Sequence, residues 1–376
     1  MKRIVATLLA WAVLAVAAQG VSAPPVAARA YYLVDALSGQ ALAAAEEDTR
    51  FEPASLTKIM TAYVVFQRLK EGKLALDQPV TPSAKALKAE GSRMFLDAKT
   101  PATVDELLKG LVVDSGNDAA IALAEAAAGT EDAFVARMNR EAERLGLANT
   151  HFANASGAPA PGHYMSARDV ATLALALVRD FPDQYPRYAQ KDFTYNGIKQ
   201  ANRNRLLWTD AAVDGMETGF TEAAGYGLVA TARRGDRRLV AVVLGAQSET
   251  LRATEGQKLL NFGYQAYETQ RLYARGQAVA EVEVYKGTRA TVPLGFDHDL
   301  WLTLPRGRFQ GLRAVLETRR PFVAPLAAGE KAGIMKLTRD NATVAELPVV
   351  ALDDVPVAGF LSRGWDTLRL LFRPST

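Results

Sequence analysis

The sequence predicts an α/β domain, then a small all-β domain, then a terminal amphipathic helix. Three observations predict it. Strand-like segments flank a helical middle within residues 24–267, so one sheet can draw on both ends of that stretch. Beyond Tyr267 come short alternating segments separated by turn residues. The final stretch, VAGFLSRGWDTLRLLFRPST, carries an apolar stripe at helical spacing.

The elements follow in order. Lys2 and Arg3 precede an apolar run, Ile4 to Ala18, and small residues follow through Ala23. The run is shorter than the roughly 20 residues of a spanning helix, so residues 1–23 read as a signal peptide and the mature chain as exported. YYLVDALSGQALAA, from Tyr31, reads as two short strands joined by a Ser-Gly turn. A helix follows: Pro53 and Ser55 stand where helices start, Ile59, Tyr63, Val64 and Phe66 keep helical spacing, and Gly72 ends it. Helical patterns recur at 104–111, 119–128, 131–145 and 167–178. Strands return at 227–233 and 238–244, and a helix over 249–267 closes the domain.

Residues 268–355 hold four alternating segments, at 279–285, 289–294, 300–305 and 312–318, and read as a small β-sandwich-like domain. Residues 356–376 read as a membrane-associating helix. Phe360, Leu361, Trp365, Leu368, Leu371 and Phe372 share one stripe, with Arg363, Arg369 and Arg373 on or near the other face. About 15 residues make about 22 Å of helix, too short and too charged to span a bilayer but suited to its interface. A helix packed on the β domain is the ordinary alternative.

Composition removes several function classes. The 376 residues include no cysteine, which excludes thiol nucleophiles, disulfides and cysteine-ligated zinc. The three histidines, His151, His163 and His298, form no HExxH, and neither GxSxG nor GxxxxGK[ST] occurs. The formal charge of +3 falls by two when Lys2 and Arg3 leave with the signal, so no nucleic-acid partner is expected.

Three short motifs remain. In Ser55-Leu56-Thr57-Lys58, residues i and i+3 share a helical face, so the Lys58 amine can reach the Ser55 hydroxyl. Backbone N–H groups at the helix start also favour negative charge beside Ser55. Serine needs a base to take its proton, and lysine is one only when burial or nearby cations lower its pKa. A capping serine with a surface lysine is the alternative. Ser115-Gly116-Asn117 could supply a proton relay and a substrate hydrogen bond, or be an ordinary loop. Val213 to Arg234 reads as the rim of a site: turn glycines, a Thr-Gly pair, then an apolar strand. An edge strand there could pair with an extended peptide and offer the Phe220 N–H to an oxyanion, or simply form a hairpin.

The chain resembles the low-molecular-mass penicillin-binding proteins that are serine-type D-Ala-D-Ala carboxypeptidases. The resemblance runs from about Tyr31 to the C-terminus. It rests on SLTKIMT, GSRMFL, SGNDAAIALAE, HYMSARDVATLALALVRDFP, FTYNGIKQANRN, DG-x-x-TG and AGYGLVA, taken in that order. It implies a penicillin-binding/serine β-lactamase-like domain, an antiparallel sheet with helices on both faces, here with the β domain and membrane foot. Ser55 would be the acylated nucleophile and Lys58 its base, with Ser115 and Asn117 as second motif. Thr218 and Gly219 would belong to the third, Lys-Thr-Gly in the family, and the Ser55 and Phe220 N–H groups would form the oxyanion hole. Arg252, placed after a second edge strand, would meet the substrate carboxylate.

The resemblance further implies peptidoglycan stem pentapeptide as substrate and β-lactams as covalent inhibitors. It implies no metal or organic cofactor, and a place on the periplasmic face of the cytoplasmic membrane. Two residues depart from the pattern. Phe220 replaces a frequent histidine, and Glu217 stands where the family has lysine. An inward Glu217 would repel the substrate carboxylate and hold Lys58 protonated. A degenerate homologue that binds wall peptide or a partner without turnover is therefore the alternative; a β-lactamase fits less well, since relatives on that fold usually lack the β domain and foot.

Overall fold

The computed structural model describes residues 21–371. The leader features Lys2, Arg3 and Ile4 to Ala18 lie outside them, as do Phe372 and Arg373 of the tail. The chain divides into two compact units, Ala23–Tyr267 and one that contains Glu268 onward.

The first unit is built on a five-stranded sheet ordered Ala41–Ala45, Ala30–Asp35, Arg237–Ala246, Gly225–Arg234, Val213–Thr221. Every neighbouring pair is antiparallel. Both ends of the segment thus contribute strands. Alternation sorts the side chains between two cores. Val34, Val229, Val240 and Val242 join one cluster, while Leu33, Leu228, Ala230, Ala241 and Val243 join the other. The first cluster takes in the helical middle, including Thr57–Lys70; the second is covered by Glu249–Ala266.

Thr57–Lys70 has every residue from Thr57 to Phe66 buried, as expected of a helix enclosed on all sides. Each such large apolar side chain contributes about 1.5–3 kcal/mol by leaving water. Ordinary caps start the surrounding helices. Ser83, Thr103, Thr130, Ser166 and Ser248 each accept a backbone N–H, and Thr103 with Glu106 forms a capping box.

Two sequence expectations change here. Thr218-Gly219 does not precede a strand but lies inside one, Val213–Thr221. Its glycines serve close approach rather than a turn. A Cβ at Gly215 would stand 2.7 Å from Tyr185 Oη, and one at Gly219 would stand 3.1 Å from Ala54 Cβ. Secondly, the strand before Arg252, Arg237–Ala246, is interior, paired on both sides. Sequence reading also missed the hairpin Asp192–Tyr195/Ile198–Ala201. Its Asn196-Gly197 turn has positive φ at both positions, the strongest short hairpin signal available.

The second unit holds a six-stranded sheet and a two-stranded one around its own apolar core. The long hairpin Lys331–Arg339/Ala342–Ala351, turning at Asp340-Asn341, was not read from sequence. The terminal helix is Phe360–Leu371. It docks through its charged face: Arg369 pairs with Glu283 at 2.5 Å, and Asp366 accepts the Lys286 N–H at 2.6 Å. The apolar stripe faces solvent, with Phe360 81%, Leu361 87% and Trp365 67% exposed. No helix among the described residues is long and apolar enough to cross a membrane.

Candidate active site

Ser55 lies in a single 3-10 turn, Ala54–Leu56, that runs directly into Thr57–Lys70. No side chain caps either element, so the unsatisfied N–H groups of the helix start stay directed at the end occupied by Ser55. The turn is held by its neighbours. Ala54 has φ +49°, a conformation costly for a residue with a Cβ. Opposite it, Gly157 has φ +91°, and a Cβ there would come within 1.8 Å of the Ala54 carbonyl oxygen. Only glycine permits that contact.

The loop at Gly157 is docked on the nucleophile helix: Thr61 Oγ1 donates to the Ala155 carbonyl at 2.6 Å. On the other flank, Thr221 Oγ1 donates to Glu52 at 2.7 Å and ties the edge strand to the segment before Ser55. His163 is buried and holds Thr57 Oγ1 through Nε2 at 3.0 Å. Burial pushes it down to about 4, so it stays neutral and structural.

The centre of the site is the Lys58 amine. Its Nζ lies 2.9 Å from Ser55 Oγ, 2.7 Å from Asn117 Oδ1 and 2.9 Å from the Ser156 carbonyl. Two of these partners only accept, and the third is a hydroxyl. Nζ donates to all three, which matches the three N–H groups of the ammonium; loss of one proton frees the lone pair that faces Ser55 Oγ. Burial lowers the Lys58 pKa to about 8; Arg203 lowers it further, and Glu217 and Asp118 oppose them. Lys58 is therefore depressed in spite of Glu217, yet at about 8 it is still mostly protonated near neutral pH, with Glu217 the largest influence holding it up. Desolvation outweighs the charge.

Asn117 begins the helix Asn117–Ala128, and its Nδ2 donates to the Glu90 carbonyl at 2.6 Å. Asp118 accepts the Met94 N–H at 2.9 Å and the Leu96 N–H at 3.1 Å, which fixes GSRMFL as the wall beside the motif. Ser115, at φ +53°, is buried. Its hydroxyl sits against the Glu217 carboxyl and lowers its pKa, without reaching ordinary hydrogen-bond geometry.

Glu217 points inward and is buried. One carboxyl oxygen accepts the Thr218 N–H at 2.9 Å. Burial raises its pKa to about 7; Lys58, the Thr218 N–H, Ser115 and Arg203 each pull it back. Glu217 and Lys58 therefore titrate as a pair near neutrality, and the steps belong to the pair. Thr218 is buried beside it. A Cβ on Gly219 would lie 3.4 Å from the Ser55 nitrogen, so the edge strand passes close over the nucleophile. Phe220 is half exposed and packs on Tyr226 with centroids 4.4 Å apart. Arg252, on Glu249–Ala266, is buried and donates to the Gly219 carbonyl at 3.2 Å and to Glu249 at 3.3 Å.

All nine residues singled out in sequence gather around this cleft. Arg203 had no assigned role there. It is exposed between Asn202 and Asn204, both buried, and Asn204 Nδ2 binds the Gly215 carbonyl at 2.8 Å. The pattern Asn-Arg-Asn, a cation between two loop-fixing amides, was the available signal. The Ser156 carbonyl and Gly157 were also missed, because backbone contacts leave little trace in sequence.

Residues 17–248 match the family described as D-alanyl-D-alanine carboxypeptidase, and residues 267–357 match the penicillin-binding protein 5 C-terminal domain. The chain belongs to that carboxypeptidase family, and its fold is that of penicillin-binding protein 5. It is 41% identical to D-alanyl-D-alanine carboxypeptidase DacC of Escherichia coli strain K12, over 95% of this chain and 91% of the relative. It is 40% identical to DacA of Haemophilus influenzae, over 93% and 91%. Among solved structures, penicillin-binding protein 5 from Haemophilus influenzae aligns with a TM-score of 0.87 at 40% identity, covering 90% of this chain and all of that one.

The buried carboxyl has a consequence for stability. A group that holds its proton more tightly folded than unfolded makes stability fall as pH rises between the two values. For Glu217 that interval runs from 4.5 to about 7, at no more than about 1.4 kcal/mol per pH unit. Glu217→Gln removes this slope. The variant should melt close to the parent near pH 4.5 and clearly above it near pH 8, followed by circular dichroism. An equal gap at both pH values would show that Glu217 does not carry the shift.

Proposed function

We propose that the chain removes the terminal D-alanine from peptidoglycan stem pentapeptides through an acyl-enzyme on Ser55. The observation that carries this reading is the Lys58 amine, held 2.9 Å from Ser55 Oγ by two carbonyl acceptors. Lys58 takes the hydroxyl proton as Oγ attacks the penultimate D-alanine carbonyl. The Ser55 and Phe220 N–H groups hold the oxyanion, and the peptide lies along the edge strand. Asn117 and Thr218 bind the peptide, Gly219 admits it, and Arg252 meets its terminal carboxylate. Water then cleaves the ester. No metal or organic cofactor enters. β-Lactams acylate the same serine; a family relative, penicillin-binding protein D2 of Listeria monocytogenes, has been solved in ampicillin- and cefotaxime-bound forms.

Glu217 slows this chemistry but does not abolish it. Lysine there would attract the substrate carboxylate; ionised Glu217 repels it. Because burial keeps much of Glu217 neutral near pH 7, the penalty grows as pH rises. Losing one charge-assisted contact costs about 2–4 kcal/mol.

We further infer that residues 1–23 direct export, that the mature chain works at the periplasmic face of the cytoplasmic membrane, and that Phe360–Leu371 lies in the bilayer interface. The exposed apolar stripe and the exposed Arg363 support this.

Three outcomes test the reading. Fluorescent penicillin should label the protein, mass spectrometry should place the adduct on the Ser55 peptide, and Ser55→Ala should abolish it. No label on the folded parent would favour wall-peptide binding without turnover. Glu217→Lys should raise the second-order acylation rate by at least about tenfold near pH 8; fast parent acylation unchanged by the substitution would show the carboxylate to be harmless. Removing residues from Val357 onward should release the protein from anionic vesicles with little loss in melting temperature, since burial of the stripe is worth several kcal/mol at about 25 cal/mol per Å². Undiminished vesicle binding by the truncated chain would rule out the interfacial helix.

A further inference from the structure

The six-stranded sheet of the second unit ends on one side at Arg313–Thr318, which pairs with Lys331–Arg339 and with no other strand. The register is unbroken from Arg313 opposite Thr338 to Thr318 opposite Gly333. One residue further on, the Arg319 N–H donates to the Ala332 carbonyl at 3.4 Å. Bonding alternates along an antiparallel ladder, so Glu317, Val315 and Arg313 also turn their main-chain groups towards Lys331–Arg339. The N–H and C=O groups of Ala314, Leu316 and Thr318 therefore point the other way, to the open side.

Open edges are usually blunted by proline, bulges or charge. No proline or bulge interrupts these six residues, RAVLET. Their centre is bare: Ala314 is exposed, and so is Val315, by 51%. The opposite edge of the same sheet, Phe322–Val323, is two residues long and offers no comparable row.

Charge gathers at the two ends of the strand. Residues 305–321 contain Arg306, Arg308, Arg313, Arg319 and Arg320 and a single acid, Glu317. Lys336 takes that acid at 2.9 Å, so the centre carries no net charge. Arg308, Arg313, Arg319 and Arg320 are exposed and form no ion pair among the described residues. Arg313 and Arg319 stand about 20 Å apart along the strand. Alternation puts both on the face that also carries Val315.

We propose that Arg313–Thr318 is a docking edge that takes an extended, acidic segment of a partner protein as an added strand. The added strand bonds the open N–H and C=O groups of Ala314, Leu316 and Thr318. Its acids lie against Arg313 and Arg319, and an apolar side chain lies on Val315 between them. The main-chain row favours a peptide over a lipid surface. Anionic head groups match the arginines, but they do not match donors and acceptors set at strand spacing. No residue of the catalytic cleft takes part.

Fluorescence anisotropy with the full mature chain tests this. The probe is a labelled peptide, Glu-Thr-Val-Thr-Val-Thr-Glu, blocked at both ends; read in either direction it presents acid and valine on one face. It should bind at least about tenfold more tightly than the same peptide with Gln for Glu, and binding should weaken as salt rises. Methylating every peptide nitrogen keeps the charge and removes the donors, and should cost at least about tenfold. Replacing three arginines together, Arg313→Ser, Arg319→Ser and Arg320→Ser, should weaken the acidic probe by at least about tenfold. The melting temperature and the penicillin labelling of that variant should match the parent. An N-methylated probe that binds as well as the unmethylated one would overturn strand addition and leave only a patch of charge. Loss of anionic-vesicle binding in the triple variant, with peptide binding unchanged, would overturn it in favour of a lipid surface. A folded parent that does not bind the acidic probe would overturn it outright. The probe comparisons use the parent chain, so they decide the matter even if the triple variant folds poorly.

Discussion

The active unit depends on a buried amine with three partners from three segments. Lys58 Nζ joins Ser55 on the 3-10 turn, Asn117 at the start of a second helix, and Ser156 in the loop between Glu131–Arg144 and Ala167–Asp180. Each contact fixes an element that would otherwise be free to shift. Asn117 carries the wall, because its neighbour Asp118 binds Met94 and Leu96. Ser156 carries the loop whose Gly157 presses on Ala54. The same three bonds that assemble the cleft also fix Nζ against the Ser55 hydroxyl. Catalytic geometry and local structure are here one set of contacts.

The contest at Glu217 shows which physical effect prevails in such a place. Charge complementarity alone argues that a carboxylate beside Lys58 should form an ion pair and disarm it. The structure places both groups out of water, where an isolated charge costs several kcal/mol. Desolvation acts on both in the same sense, towards neutrality, and it leads the causes for each. With Glu217 at about 7 and Lys58 at about 8, the pair reaches one shared proton between those values, held mainly on Lys58. A lysine in place of Glu217 would depress Lys58 by repulsion; burial achieves part of that depression without it.

Much of the fold was legible because its signals are local. The nucleophile helix, the helices at Val104–Val112, Glu131–Arg144 and Ala167–Asp180, and the paired strands Gly225–Arg234 and Arg237–Ala246 follow from apolar spacing and capping. The site was legible where chemistry depends on side chains: Ser55, Lys58, Ser115, Asn117, Glu217 and Thr218. It was less so where the work falls to backbone. Gly215 and Gly219 look like turn residues in sequence, yet each marks a close approach of a strand to a neighbour. The interior place of Arg237–Ala246 depends on pairing with Ala30–Asp35, about 200 residues earlier in the chain, and no local pattern specifies it. The inward turn of Glu217 follows from the register of an edge strand against Gly225–Arg234, where it pairs with Val229. A single-residue slip would have put it on the other face.

The edge strand also bears on how this site can change by mutation. In the proposed reaction the oxyanion is held by main-chain N–H groups, one of them at Phe220, whose ring stands outward on Tyr226. Side-chain replacement leaves a main-chain donor in place, which is why a phenylalanine can occupy a position that often holds histidine. Only proline lacks the N–H. Phenylalanine and proline codons differ at both of their first two bases, so no point change in the gene reaches that donor directly. Heritable alteration of the hole has to proceed by displacing the strand, through Glu52, Gly157 or Gly219, rather than by deleting the group that binds.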